Sequence, residues 1–206
     1  ITIESAQGKV IANPLDPDVK RTVDGTLTGV NTSYFNASSV DTNGYDVEMT
    51  YDFDTSMGSA QVGLKTTHML QYEIPLQTGV TKDVVGLFNH DNFARSLPET
   101  KMVLHASLES GNHSAVAFGR YVSDYKTTRP LDATATSRGF TDSVDSFFSV
   151  DLKYSYKFDM NDSNLLLTLG MSNAFDEDVP LVYDAANFSY DPKHHDPRGR
   201  MVYIGL

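Results

Sequence analysis

The chain has 206 residues, with 27 acidic against 16 basic side chains and a formal net charge of −11. That balance, with no run of Lys and Arg to face phosphates, excludes a nucleic-acid partner. No cysteine is present, which excludes disulfides and thiolate metal centres. Apolar residues make up 40%, yet no stretch approaches the ~18 consecutive apolar residues of a membrane-spanning helix.

In chain order, a stub at 1–4 is predicted as a strand, and "ESAQGKVIA" as a short helix ahead of the breakers Pro14 and Pro17. A weak strand follows at 26–36. "YDVEMTYDFD" (45–54) then alternates without exception. Tyr45, Val47, Met49, Tyr51 and Phe53 fall on one face, and Asp46, Glu48, Thr50, Asp52 and Asp54 on the other, which is the strand period. "QVGLKTTHMLQYE" (61–73) sets Val62, Leu64, Leu70 and Tyr72 against Gln61, Lys65, Thr67, Gln71 and Glu73. "MVLHASLE" (102–109) sets Met102, Leu104, Ala106 and Leu108 against His105, Ser107 and Glu109. A weaker strand is predicted at 114–125. "FSVDLKYSYKF" (148–158) and "LLLTLGMS" (165–172) repeat the alternation, and 200–206 closes a set of nine strands including the stub.

The connections divide by length. "DTSMG" (54–58), "SGNH" (110–113) and "DMNDSN" (159–164) are tight polar turns, whereas 74–99, 126–145 and 174–199 are long and irregular. Short turns at one end and long loops at the other are the layout of an outer-membrane β-barrel, with periplasmic turns and extracellular loops. Tyr51, Phe53, Tyr154, Tyr156 and Phe158 gather near the short turns, as in an aromatic girdle. The charges on the opposite faces cannot lie unpaired in a dry core. The expected fold is therefore all-β: an antiparallel transmembrane barrel with lipid on the apolar face and a wet or plugged interior on the polar face. A soluble barrel or sandwich also alternates its faces, but has less reason to segregate its loops by length.

The last third carries "LLLTLGMSNAFDEDVP" and "YDPKHHDPRGRMVYIGL", in which Asn173, Phe175, Asp176 and Pro180 are followed by Tyr190, Asp191, Pro192, Gly199 and Arg200. Earlier come Arg21, Gly25, Asn36, Gly44 and Asp46. This succession resembles the carboxyl-terminal barrel of TonB-dependent outer-membrane receptors. The resemblance implies that residues 1–206 are the last nine or so of about 22 strands, with the plug and the first barrel strands absent. It also implies a Gram-negative outer membrane, with lipid and lipopolysaccharide around the barrel. The TonB complex would act through the absent amino-terminal part, and the imported solute would be small and scarce, such as a ferric siderophore. The chain departs from the family in the length of segment 5–25, and the resemblance places the family's usual terminal aromatic a few positions beyond Leu206. A passive outer-membrane barrel or porin, an outer-membrane enzyme, and a soluble β-rich surface binding domain are the alternatives.

No nucleophile and base pairing, phosphate loop or paired carboxylates stand out, so no catalytic residue is named, and no cofactor is expected. "DEDVP" and "DMNDSN" lack the spacing of a dedicated Ca²⁺ loop. His68 and His105 are predicted within strands and His113 within a turn, in structural or solvated roles. His194 and His195, adjacent on an extended chain, would point to opposite faces and not share an ion, so no metal site is expected and solvated loop is the default for both. Solute contacts from the long loops are expected of His90, Phe93 and Arg95, then Arg129 and Arg138, then Tyr183, Tyr190, His194 and His195.

Overall fold

The computed structural model describes residues 2–3, 6, 9–10, 13, 15–35, 39–75, 81–88, 96–160, 163–183 and 189–206. Among them the chain is all-β. The strands are β1 (Thr2–Ile3), β2 (Val19–Arg21), β3 (Leu27–Val30), β4 (Tyr34–Phe35), β5 (Asp41–Thr55), β6 (Gly58–Pro75), β7 (Thr81–Asp83) and β8 (Leu87–Phe88). They continue with β9 (Ser96–Leu97), β10 (Thr100–Ser110), β11 (His113–Val122), β12 (Tyr125–Thr127), β13 (Ser143–Val144), β14 (Phe147–Met160), β15 (Ser163–Ser172) and β16 (Met201–Gly205). One short helix, Ala133–Ser137, lies between β12 and β13 and is capped by Asp132, whose Oδ1 accepts from the Ala135 amide at 2.7 Å.

Seven long strands form an antiparallel meander in the order β16–β15–β14–β11–β10–β6–β5, with β7 added beside β6. These are the strands whose alternation the sequence displays. β5 and β16 do not pair with each other, so the sheet is open at both edges among the described residues. The nine predicted strands need correction at the amino-terminal end. The run 26–36 divides into β3, which pairs with β2, and β4, which pairs with β1, and neither joins the large sheet. A helix was expected in "ESAQGKVIA", and the described residues there, Ala6, Lys9 and Val10, have helical backbone.

Register fixes the faces. Tyr45 pairs with His68, Met49 with Leu64 and Phe53 with Ala60, and Leu64 in turn pairs with Leu104. Ala117 continues that face to Leu152, and Leu152 to Met171. The opposite face runs from Glu48 through Lys65, Val103 and Arg120 to Ser149. The apolar face is the uncovered one. Met49 (58% exposed), Leu104 (42%), Leu152 (43%) and Leu169 (44%) all keep large open surfaces in the middle of their strands.

Two close backbone approaches need glycine. Gly58 closes the β5–β6 turn at φ 143°, where a Cβ would lie 1.9 Å from the Glu109 carbonyl oxygen. Gly44 sits at a register shift opposite β6, where any Cβ would lie 2.5 Å from the His68 carbonyl oxygen. The shift is a bulge, the usual device for bending and twisting a sheet near its rim.

The dry core lies elsewhere, at the end of the sheet away from the short turns. There the long connections add a four-stranded sheet, β13–β12–β8–β9, in which β12 runs parallel to β8. Phe88, Val122, Tyr125, Val144 and Val182 are buried together, and Ile74 and Val84 form a second cluster against Val40, Tyr72, Leu87 and Leu97. The long loops are thus not irregular throughout. They pack on one another into a small domain-like cap.

Candidate functional site

The polar face begins with paired charges. Lys65 Nζ lies 2.6 Å from Glu48 Oε1, directly across the β5–β6 ladder. Thr67 donates to Asp46 at 2.6 Å and Gln61 to Asp52 at 2.6 Å. Further along, Arg120 pairs with Asp151, and the Asn173 amide donates to the other Asp151 oxygen at 3.0 Å. Cross-strand pairs of this kind satisfy one another and make the face polar and charged.

Beyond β15 the chain folds back over this face. Asn173, at φ 47°, closes a loop on itself: its Oδ1 accepts from the Glu177 amide at 2.9 Å and its Nδ2 donates to the Glu177 carbonyl at 2.8 Å. Asp176 Oδ1 accepts from the Arg200 amide at 2.8 Å, which fixes the start of β16. Between these anchors, residues 191–199 cross the polar face and wall a cavity of about 760 Å³. Its lining includes Asp46, Glu48, Lys65, Lys101, Arg120 and Asp151 from the sheet, and His194, Asp196 and Arg198 from the crossing segment. Arg198 Nε donates to both Asp196 oxygens at 2.9 Å. The guanidinium holds the Asp196 carboxyl below its usual range, and Arg120 adds to the effect from the sheet.

The crossing segment is fastened by a buried cluster. Tyr125 donates its hydroxyl to Asp191 Oδ2 at 2.8 Å, and the Lys193 amide donates to Oδ1 at 3.0 Å. Asp191 is fully buried at 1% exposure. Burial, reinforced by the adjacent carboxylate, pushes the Tyr125 hydroxyl far above its ordinary pKa. The His194 and His195 amides both donate to the Asp191 carbonyl, at 3.3 and 3.0 Å. His195 lies against the rings of Tyr125 (6.2 Å, stacked) and Phe147 (5.3 Å). It is 4% exposed, and neither of its ring nitrogens has a hydrogen-bond partner among the described residues. Burial pushes its pKa down, opposed by Asp191 and assisted by His194. His194 is half-buried, with Nε2 3.3 Å from the Ser96 carbonyl, and burial lowers its pKa too.

The predicted contact residues are therefore scattered in role. His90, Phe93 and Arg95 lie outside the described residues. Arg129 stands 5.1 Å over the Tyr183 ring, and Tyr183 donates to Asp132 Oδ2 at 3.1 Å, so these two tie the second and third long loops together. Arg138 is exposed at the end of the short helix. Tyr190 is half-buried. Of the six that are described, His194 alone lines the cavity. The solvated reading of His195 is overturned, as is the premise that the two histidines lie on an extended chain. They occupy a turn over Asp191, which brings both rings to Tyr125, at 6.5 and 6.2 Å.

His113 also differs from expectation. It is the first residue of β11, not a turn residue, and its ring meets Tyr156 at 4.7 Å while Nδ1 lies 2.6 Å from the Tyr154 hydroxyl. Among the described residues no three His, Cys, Asp or Glu side chains are grouped to hold a metal ion. Asp191 enters the sequence reading only through the family resemblance; its buried anchoring role escaped because Asp-Pro reads as turn chemistry, and the distant Tyr125 explains its burial. No family model, curated protein or solved structure matches the chain.

Proposed function

We propose that the chain is part of the barrel of an outer-membrane active-transport receptor, similar to the TonB-dependent kind, and contributes the mouth at which a scarce solute is captured. The observation that carries this reading is the inverted sheet: an apolar face left open across seven strands, and a polar face of paired charges. In water such a face is too large to leave exposed, while in lipid it is the ordinary outer surface of a barrel.

The positions of the aromatic residues support the same reading. Tyr51, Phe53, His113, Tyr154, Tyr156 and Phe158 stand on the apolar face near the short turns, and Tyr51 stacks on Phe53 at 5.5 Å. Tyr45, Tyr121 and Phe148 stand on that face near the long connections. Six to eight residues separate Tyr45 from Tyr51 and Phe53, which at ~3.4 Å per residue is about 20–27 Å along the strand, near the height of an outer-membrane apolar band. The edges of β5 and β16, unpaired among the described residues, speak for a larger closed sheet, because open edges in lipid cost several kcal/mol per backbone group. The receptor assignment, as against a passive barrel or an enzyme built on one, rests on the sequence resemblance. Asn173, Asp176 and Arg200 of that resemblance meet at one place, which gives them a shared structural role.

The test is twofold. Membrane fractionation of cells making the intact gene product is expected to recover it from the outer membrane only with detergent; recovery in the soluble fraction removes the barrel reading. Uptake of a ferric chelate by those cells is expected to stop when TonB is deleted. Uptake that continues without TonB favours the passive barrel.

A further inference from the structure

The crossing segment has a feature that solute capture does not call for. His195 is enclosed by Tyr125 of β12 and Phe147 of β14, with neither ring nitrogen partnered among the described residues. The Ser96 hydroxyl beside the same segment is buried and has no partner among the described residues, although its carbonyl receives Lys193 Nζ and His194 Nε2, both at 3.3 Å. A neutral imidazole tolerates this enclosure because it carries no net charge, with one ring, Tyr125, stacked along it at 20° and the other, Phe147, packed against it at a tilt of 59°. An imidazolium does not, because it has two N–H donors and needs acceptors or water for both.

The charged and titratable groups around His195 are few. Asp191 lies close enough to favour the cation, but its two oxygens are turned to the Tyr125 hydroxyl and the Lys193 amide, and neither reaches a ring nitrogen of His195. His194 is the next residue and opposes a second positive charge, and Lys101 of β10 and Lys193 disfavour charge on His194 in turn. Tyr125, held protonated by burial, supplies no negative charge, and Phe147 is inert. One weak attraction therefore stands against the desolvation of a full charge.

We propose that residues 191–196 are a proton-sensitive clasp: with His195 neutral they close over Tyr125 and Phe147 and wall the polar-face cavity, and protonation of His195 releases them. Release would withdraw His194 and Asp196 from the cavity wall and open the cavity at that side. The lowered pKa of buried His195 agrees in sign. A histidine whose folded pKa lies below its unfolded value near ~6.5 stabilises the closed form above that pH, and the contribution is lost as pH falls through the folded value.

The experiment is hydrogen exchange on the assembled protein between pH 8 and pH 5, corrected for the intrinsic pH dependence of exchange, following the His194 and His195 amides that bond to the Asp191 carbonyl. Protection of these two amides is expected to fall at least tenfold on acidification while amides of β10 and β11 keep theirs. His195→Phe preserves the ring contacts and carries no proton, and is expected to keep the clasp protected at pH 5; His194→Gln is expected to retain the transition. Unchanged protection in the unsubstituted protein overturns the proposal, and so does a transition that survives His195→Phe. If His195→Phe does not assemble, imidazole NMR of the unsubstituted protein decides. Titration of the His195 ring in step with the two amides supports the clasp, and opening without that titration, or titration without opening, overturns it. No arm depends on solute or TonB, so failure here is separate from failure of the receptor reading.

Discussion

Tyr125 and Asp191 are 66 residues apart in sequence and share a buried 2.8 Å hydrogen bond from hydroxyl to carboxylate. The bond joins the strand that follows β11 to the segment that crosses the polar face, so two long connections are held as one body. Tyr125→Phe leaves a buried carboxylate with one donor fewer. A hydrogen bond to a charged group contributes ~1.5–3 kcal/mol, and chemical unfolding of the variant is expected to show a loss in that range. A loss below about 0.5 kcal/mol would mean that water replaces the hydroxyl and that the bond is dispensable.

The two faces of β14 give a paired prediction. Leu152 lies on the apolar face, 43% exposed, and Lys153 on the polar face opposite Gly170. Leu152→Arg is expected to cost about 2–4 kcal/mol in a lipid folding assay if the position lies near the bilayer midplane, whereas Lys153→Ser should change little. Equal costs would argue against lipid on the apolar face.

At the β5–β6 turn, Gly58→Ala should be disproportionately harmful for one methyl group. The backbone angle disfavours any side chain, and the Glu109 carbonyl already occupies the space a Cβ needs. Strain at such a position costs ~1–3 kcal/mol, read as a lowered unfolding midpoint. Gly25→Ala is the useful control: its φ of 88° is also left-handed, but nothing lies within 4 Å of the added carbon. A smaller loss at Gly25 than at Gly58 isolates the contribution of the close contact.

Deleting residues 183–196 removes the clasp, Tyr183 and the Asp191 anchor together. Solute binding is expected to weaken tenfold or more, equivalent to ~1.4 kcal/mol, with the seven-stranded sheet still assembled because none of its ladders uses these residues. Arg129→Ala offers a finer comparison. Its guanidinium stacks on Tyr183, so loop stability should fall by about 0.5–1 kcal/mol, measured by local hydrogen exchange, while solute binding changes less than in the deletion. Full binding after the deletion would take this loop out of the capture site.

The large sheet could be read from sequence because a period of two is written into each strand by its own residues. Tyr45 through Asp54 needs no distant information to declare its faces. The cap had no such signal. β8, β9 and β13 are two residues long and β12 three, and their partners are remote: Lys126 pairs with Leu87, and Tyr125 with Val144. The same reason hid the clasp. "KHHDPRG" is polar, preceded by Pro192, interrupted by Pro197 and without periodicity, so it reads as solvated; what buries His195 is Phe147 and Tyr125, neither of them near it in sequence. Glu48 and Lys65, by contrast, could be placed on one face from alternation, although their direct pairing awaited the register.

The open edge of β5 has a practical consequence for anyone who handles this chain by itself. Along Asp41–Thr55 the side turned away from β6 offers a row of backbone donors and acceptors with no ladder partner among the described residues, beside an apolar face. Such an edge is a template for strand addition, and here its neighbour β6 backs it with fifteen paired positions from Asp41 to Thr55, so the template is ordered and long. Its acidic residues Asp41, Asp46, Glu48, Asp52 and Asp54 resist stacking of identical copies, by like-charge repulsion. Low pH or high salt, which neutralise or screen those carboxylates, should therefore drive the isolated chain toward fibrous aggregates with a 4.7–4.8 Å repeat.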